Sequence, residues 1–254
     1  MGAIQMETLA LIGLALGAGA MVKGATGMGL PIIAMPMLAT AFGVPHAIAV
    51  LTVPLIVTNA WQVWQHRSHA RGASFLKRLL AAGIFGIGIG TWLLTAVPER
   101  SLSLVLGLLV VAYVGLQVLH TDFRLSGDAG RGLAPVAGAA AGMLQGATGI
   151  SSPIGVTFIH ALRLEREAHI FAVSAMFLLF SLTQLPALAV AGIMSWPRFV
   201  EGLIALVPVL ALMPLGAWVG RALSRRTFDV IILGLLVILA VELIWKSINA
   251  SGQG

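Results

Sequence analysis

The chain has 254 residues, of which 59% are hydrophobic and 9% charged, against roughly 25% charged in an ordinary soluble domain. With a mean hydropathy of +1.00 it reads as a membrane protein, not as a cytosolic enzyme, a coiled coil or a disordered chain. The formal charge of +6 sets orientation in a bilayer and implies no nucleic-acid partner, and the absence of cysteine removes disulfides, thiol chemistry and thiolate metal sites.

The first apolar run covers 7–22 and has no positive charge in the six residues ahead of it, so it reads as a retained helix and not as a cleaved signal. Further runs follow at 29–42, 46–65, 75–97 and 102–119, then at 133–150, 153–162, 168–193, 199–222 and 228–246. A spanning helix needs about 20 residues at 1.5 Å each. The stretches 29–42 and 153–162 reach only about 21 and 15 Å. Each stands behind a glycine-rich break and starts near a proline, which predicts a half-helix folded back as part of a hairpin buried in protein.

Five runs thus occur twice, and the residues repeat with them. Gly24-Ala25-Thr26-Gly27 recurs as Gly146-Ala147-Thr148-Gly149 at an offset of 122, which also pairs Pro31 with Pro153, Ile32 with Ile154 and Gln62 with Gln184. Further on the offset becomes 126, pairing Gly90 with Gly216, Trp92 with Trp218 and Arg100 with Arg226; Leu106 to Val110 then matches Leu233 to Val237. Colinear matches across both halves predict a duplication, with repeat one at 1–120, a linker at 121–132 and repeat two at 133–254, all in one transport domain, 1–254. Charge placement predicts that the halves are inverted. Arg67, Arg71, Lys77 and Arg78 fill the loop before the fourth run of the first half, whereas in the second half Arg221, Arg225 and Arg226 fill the loop after it. If basic loops face the cytoplasm, equivalent loops lie on opposite sides, the linker is inside and both termini are outside.

The two breaks are the candidate site. A broken helix exposes N–H groups and a partial positive charge, glycine lets an anion approach the backbone, and hydroxyls add donors. This selects Gly24, Thr26, Gly27, Met28 and Gly29 in the first half, and Gly146, Thr148, Gly149, Ile150, Ser151 and Ser152 in the second, expected to meet in mid-bilayer around a dehydrated anion. The same glycines would equally serve close helix packing, the role assigned to Gly86, Gly88 and Gly90. Lys23, with Gln145 at its repeat position, would supply positive charge, or would snorkel to an interface. Gln62 and Gln184, with Asn59, Gln65, Ser181 and Thr183 nearby, would touch cargo or bridge helices. His46, His66, His69, His120 and His169 fall near predicted ends and His160 in a short run, where solvation competes with a proton-coupling role. Glu242 and Lys246 suggest an interfacial pair, and Trp61, Trp64, Trp196 and Trp245 interfacial anchors. No metal cluster, phosphate-binding loop or hydrolase motif is present; a Ser151–His160 pair is the one hydrolytic alternative.

At these positions the sequence resembles the TauE/SafE family, also called the 4-toluene sulfonate uptake permease family. The residues that carry the resemblance are Thr26-Gly27-Met28-Gly29-Leu30-Pro31 and Gly149-Ile150-Ser151-Ser152-Pro153, each followed by a helix marked with a polar residue and then by glycine-rich helices. Met28, Leu30 and Ser151-Ser152 stand where the family is more often glycine. The resemblance implies an all-helical, multi-pass transporter of the plasma (inner) membrane for small sulfur-containing anions such as sulfite or sulfoacetate, working without a cofactor. A non-transporting scaffold or sensor is the alternative. The coupling ion (proton or sodium) and homodimer formation stay open.

Overall fold

The computed structural model describes residues 6–72, 75–119, 124–222 and 225–249, and every regular element among them is helical. Before the linker lie α1 (Met6–Thr26), α2 (Leu30–Phe42), α3 (Val44–Gln65), α4 (Leu76–Ala96) and α5 (Glu99–Val118). After it come α6 (Gly127–Thr148), α7 (Gly155–Ala161), α8 (Arg166–Val190), α9 (Trp196–Ile204), α10 (Leu206–Ala222) and α11 (Arg225–Asn249). Among the described residues, 7 helical stretches are long and apolar enough to cross a membrane, α9 and α10 counting as one. The protein is therefore an all-helical polytopic membrane protein.

The half-helices are where the run lengths placed them. α2 has 13 residues and α7 has 7, about 20 and 10 Å at the usual rise, and α7 is the shorter because residues 152–154 form a turn. Two boundaries differ from expectation. The run 199–222 is divided at Ala205, where Pro208 has no N–H to offer the carbonyl of Ile204. α6 begins six residues before its apolar run because Ser126 accepts a hydrogen bond from Ala129 N at 3.3 Å and Asp128 sits in the positive first turn.

Two glycine-lined crossings hold the halves together. A Cβ on Gly86 would lie 2.1 Å from the Ala139 carbonyl, and one on Gly142 2.2 Å from that of Gly83, so α4 and α6 lie backbone to backbone. α1 and α10 do the same through Gly24, Gly216 and Gly220. In both crossings rising residue numbers match, so the paired helices run parallel. α3 runs antiparallel to α8, with Gln62 against Ser174, and α5 antiparallel to α11, with Arg100 bonded to the Ser247 carbonyl. The apolar core is in two parts: one joins Leu16, Ile33, Ile48 and Leu106, the other Leu79, Ile87, Phe158 and Phe177.

Contacts at the helix termini define two ends of the bundle. At one, His66 pairs with Glu167 at 2.7 Å, and Leu125 N donates to the Ala161 carbonyl at 2.9 Å. At the other, His46 pairs with Glu201 at 2.7 Å and Lys246 donates to the Thr40 carbonyl at 3.2 Å. Of the 15 Lys and Arg residues, 11 belong to segments at the first end, and Arg100, Arg198 and Lys246 to the second; only Lys23 lies between. Trp61 and Trp64 are exposed toward the first end, Trp196 and Trp245 toward the second, the distribution expected of interfacial rings.

Candidate functional site

The first break follows from its glycines. Gly27 and Gly29 adopt φ of 82° and 99°, a region where a Cβ is strained, so α1 stops at Thr26 and α2 restarts with Pro31 in its first turn. Gln62 Nε2 donates to the Gly27 carbonyl at 2.7 Å, and Ser174 Oγ donates to Gln62 Oε1 at 3.1 Å. One turn earlier on both helices, Lys23 Nζ donates to Asn59 Oδ1 at 2.7 Å, while Asn59 Nδ2 is held by the Leu55 carbonyl at 2.8 Å, which turns its oxygen toward the lysine. Lys23 is 2% exposed. Among the described residues it has no carboxylate within ion-pair distance, and an ammonium offers three donors. A buried amine so sparsely partnered is expensive in hydrocarbon, which makes Lys23 a candidate functional residue.

The second break is built alike. Gly149 takes φ 72° and caps α6, its N–H bonded to the Gln145 carbonyl at 2.8 Å. Gln184 Nε2 donates to that same carbonyl at 2.9 Å, and Gln145 Nε2 donates to Gln184 Oε1 at 3.2 Å. Gln62 and Gln184 thus play matching parts, each tying the third helix of its half to a carbonyl beside a break. Exposure separates the two breaks. Thr26 is exposed and Gly27, Met28 and Gly29 are half-buried, whereas every residue from Thr148 to Ser152 is buried.

Three expectations need correction. Gly24 and Gly146 face other helices and not a crevice: a Cβ would fall 2.0 Å from the Met213 carbonyl on Gly24 and 2.6 Å from the Ile87 carbonyl on Gly146. The packing role holds for these two, as for Gly86 and Gly90, while Gly88 meets nothing within 4 Å. The N–H groups of Gly27 and Gly149 are already bonded to Lys23 and Gln145 carbonyls, because a left-handed glycine closes the helix before it. The breaks also do not meet at mid-bilayer. Gly27 lies at Gln62 and Gly149 against Ile48, fourteen residues or about 21 Å apart along α3. The reason is that α1 and α6, at 21 and 22 residues, are full-length helices, so each break falls near the end of a crossing.

Thr26 Oγ1 donates to the Val22 carbonyl at 2.9 Å and Thr148 Oγ1 to that of Leu144 at 2.8 Å. Glu242 and Lys246 form an exposed pair at 3.0 Å, and His160 meets His169 edge to face at 5.8 Å. His120 lies outside the described residues. Two outer grooves of about 610 and 460 Å³ share Pro186 and run past Trp92, Val190 and Trp196 on the exposed face of α4, α8 and α9; neither includes a residue of the breaks. Sequence reading missed Ser174, although Thr52 stands at the same 122-residue offset and a matched hydroxyl pair was there to be found.

Discontinuous helices whose ends carry polar groups into an apolar bundle, beside a buried lysine, are the architecture of a membrane transport protein. The chain belongs to the TauE/SafE family: a family model described as Sulfite exporter TauE/SafE matches residues 11–243, which takes in both breaks and both glutamine bridges. That family comprises membrane transporters of sulfur-containing anions. No curated protein and no solved structure matches the chain.

Proposed function

We propose that the protein is a secondary transporter that moves a small sulfur oxyanion, sulfite or an organosulfonate such as sulfoacetate, by alternating access between two inverted repeats. The observation that carries this reading is Lys23, a buried ammonium bonded to one amide oxygen and placed one turn before a break that is open at one end of the bundle. An anion entering there meets Thr26, the N–H groups of Gly29, Leu30 and Ile33, and the remaining N–H bonds of Lys23. The polar amides Gln62 and Gln184 act as struts that hold the breaks in shape.

Inversion is supported by the packing. α1 packs on α10 while its repeat mate α6 packs on α4, and the mates α3 and α8 cross each other antiparallel, the cross-pairing that a two-fold axis in the membrane plane requires. The basic end faces the cytoplasm of the inner membrane, so break one is open inward while break two is closed outward. The proposed cargo crosses unchanged, a reading supported by Ser151 and His160 not being paired, since Ser151 Oγ has no hydrogen-bond partner and His160 packs on His169.

The test is flux of labelled sulfite and sulfoacetate in proteoliposomes. Lys23→Ala is expected to lower transport about 10- to 100-fold, the worth of a charged hydrogen bond of roughly 1.5–3 kcal/mol, and Ser152→Leu to block closure and opening of the second break. Unchanged flux in both variants removes the assigned site; parent flux no faster than that of empty liposomes leaves a scaffold or sensor.

A further inference from the structure

Among the described residues five buried side-chain oxygens have no hydrogen-bond partner, and three of them, Gln145 Oε1, Ser151 Oγ and Ser181 Oγ, belong to the second break and the helix packed behind it. Gln145 and Ser151 flank the break, and Ser181 lies one turn before Gln184 on the face of α8 that bonds Gln145. All three residues are at most 1% exposed. A fourth, Thr91 Oγ1, is on α4 where that helix crosses Gly146. Leaving this many polar groups unpaired in a bilayer core is expensive. Neighbouring groups do not relieve them: Thr148 is bonded to Leu144, and both ends of the Gln184 amide are taken by Gln145.

The first half shows what such a place holds. At the offset of 122, Gln145 corresponds to Lys23 and Ser181 to Asn59, and Lys23 Nζ sits 2.7 Å from Asn59 Oδ1. Repeat one thus carries a covalently attached cation against an oxygen of its third helix. Repeat two has the oxygen on the third helix, a second oxygen in place of the ammonium, and no attached charge. We propose that repeat two is a monovalent-cation site, suited to Na+, whose ligands are Gln145 Oε1, Ser151 Oγ and Ser181 Oγ. The ligands are neutral, which favours a single positive charge, since Ca2+ and Mg2+ are held through carboxylates. The end of an interrupted helix supplies further carbonyl oxygen of the kind that coordinates Na+ in discontinuous-helix transporters. The site sits behind the closed break, so binding and release of the cation are tied to that break's opening. That the cation drives anion movement rests on the transport reading above; the site itself does not.

A trapped water would satisfy the same oxygens, and the experiment separates the two. Binding of radioactive 22Na+ is measured on the purified full-length protein in detergent, with no anion and no membrane gradient, so the result is independent of transport. Saturable binding is expected, displaced by unlabelled Na+ and not by choline. Ser181→Ala, which removes one unpaired hydroxyl without enlarging the side chain, is expected to weaken it about tenfold. Gln145→Lys is expected to abolish it by supplying the ammonium that repeat one has at Lys23, with helical content and monodispersity kept. Absence of saturable binding in the parent overturns the proposal, as does binding of unchanged strength in Ser181→Ala or in folded Gln145→Lys. If 22Na+ binds while sulfite flux is absent, the cation site stands and the transport reading falls.

Discussion

A lysine side chain lodged inside a membrane bundle carries a desolvation cost, and at Lys23 its worth to function and to stability can be measured apart. Its ammonium has one amide oxygen as partner, so replacing it by a chain of similar length without charge relieves a desolvation penalty. Lys23→Met is expected to raise Tm by about 2–8 °C, from roughly 1–2 kcal/mol of relieved penalty in a chain of this size, while sulfite flux falls about 10- to 100-fold, as for Lys23→Ala. A drop in Tm would mean that Lys23 is a structural strut. Asn59→Asp makes the complementary case. The carboxylate would satisfy the ammonium fully, so the variant is expected to fold at least as stably as the parent and to lose anion transport, because the site no longer carries net positive charge. Retained flux in Asn59→Asp would show that the anion does not depend on the Lys23 charge.

At the scale of helices, glycine decides how closely elements approach, and which glycines do so follows from the crossings. Gly216→Val would drive a Cβ to 2.1 Å from the Met21 carbonyl, whereas Gly88 has nothing within 4 Å of where a Cβ would stand. Thermal denaturation should therefore show Gly216→Val destabilised by about 3 kcal/mol or failing to fold, and Gly88→Val within about 0.5 kcal/mol of the parent. The contrast was not legible in the sequence, where Gly86, Gly88 and Gly90 look alike, because composition records that a helix can pack closely but not which face meets a neighbour. The broken hairpins were legible. A run too short to cross and a glycine-rich break at the same place in two halves are local facts, and α2 and α7 stand where those facts put them. Partnerships between helices were not: Lys23 finds Asn59 and Gln62 finds Ser174 across separations of 36 and 112 residues. The opposite placement of the breaks was likewise hidden, since it depends on α1 and α6 being full-length before they stop, and the polar start of α6 masked six of its residues.

Taken whole, the molecule has two breaks that differ in exposure, and on the proposed alternating cycle the His–Glu pairs at its ends would open and close them. At the end nearer break two, His46 and Glu201 join α3 to α9, with the Glu201 side chain 8% exposed; at the end nearer break one, His66 holds a Glu167 that is 44% exposed. The more buried pair is expected to hold the buried break shut. Glu201→Gln removes its charge and is expected to shift the balance toward opening at break two, by about tenfold for roughly 1.4 kcal/mol of lost attraction. The chain has no cysteine, so a single thiol can report each break against a silent background. With a membrane-impermeant maleimide on oriented vesicles, Thr26→Cys should react from the basic end and Thr148→Cys scarcely at all, matching their exposed and buried positions. Adding Glu201→Gln should slow Thr26→Cys and speed Thr148→Cys, the latter from the opposite side. Reciprocal change is the mark of one equilibrium governing both breaks. If Glu201→Gln raises both rates, the pair is a general brace against loosening, and the breaks do not alternate.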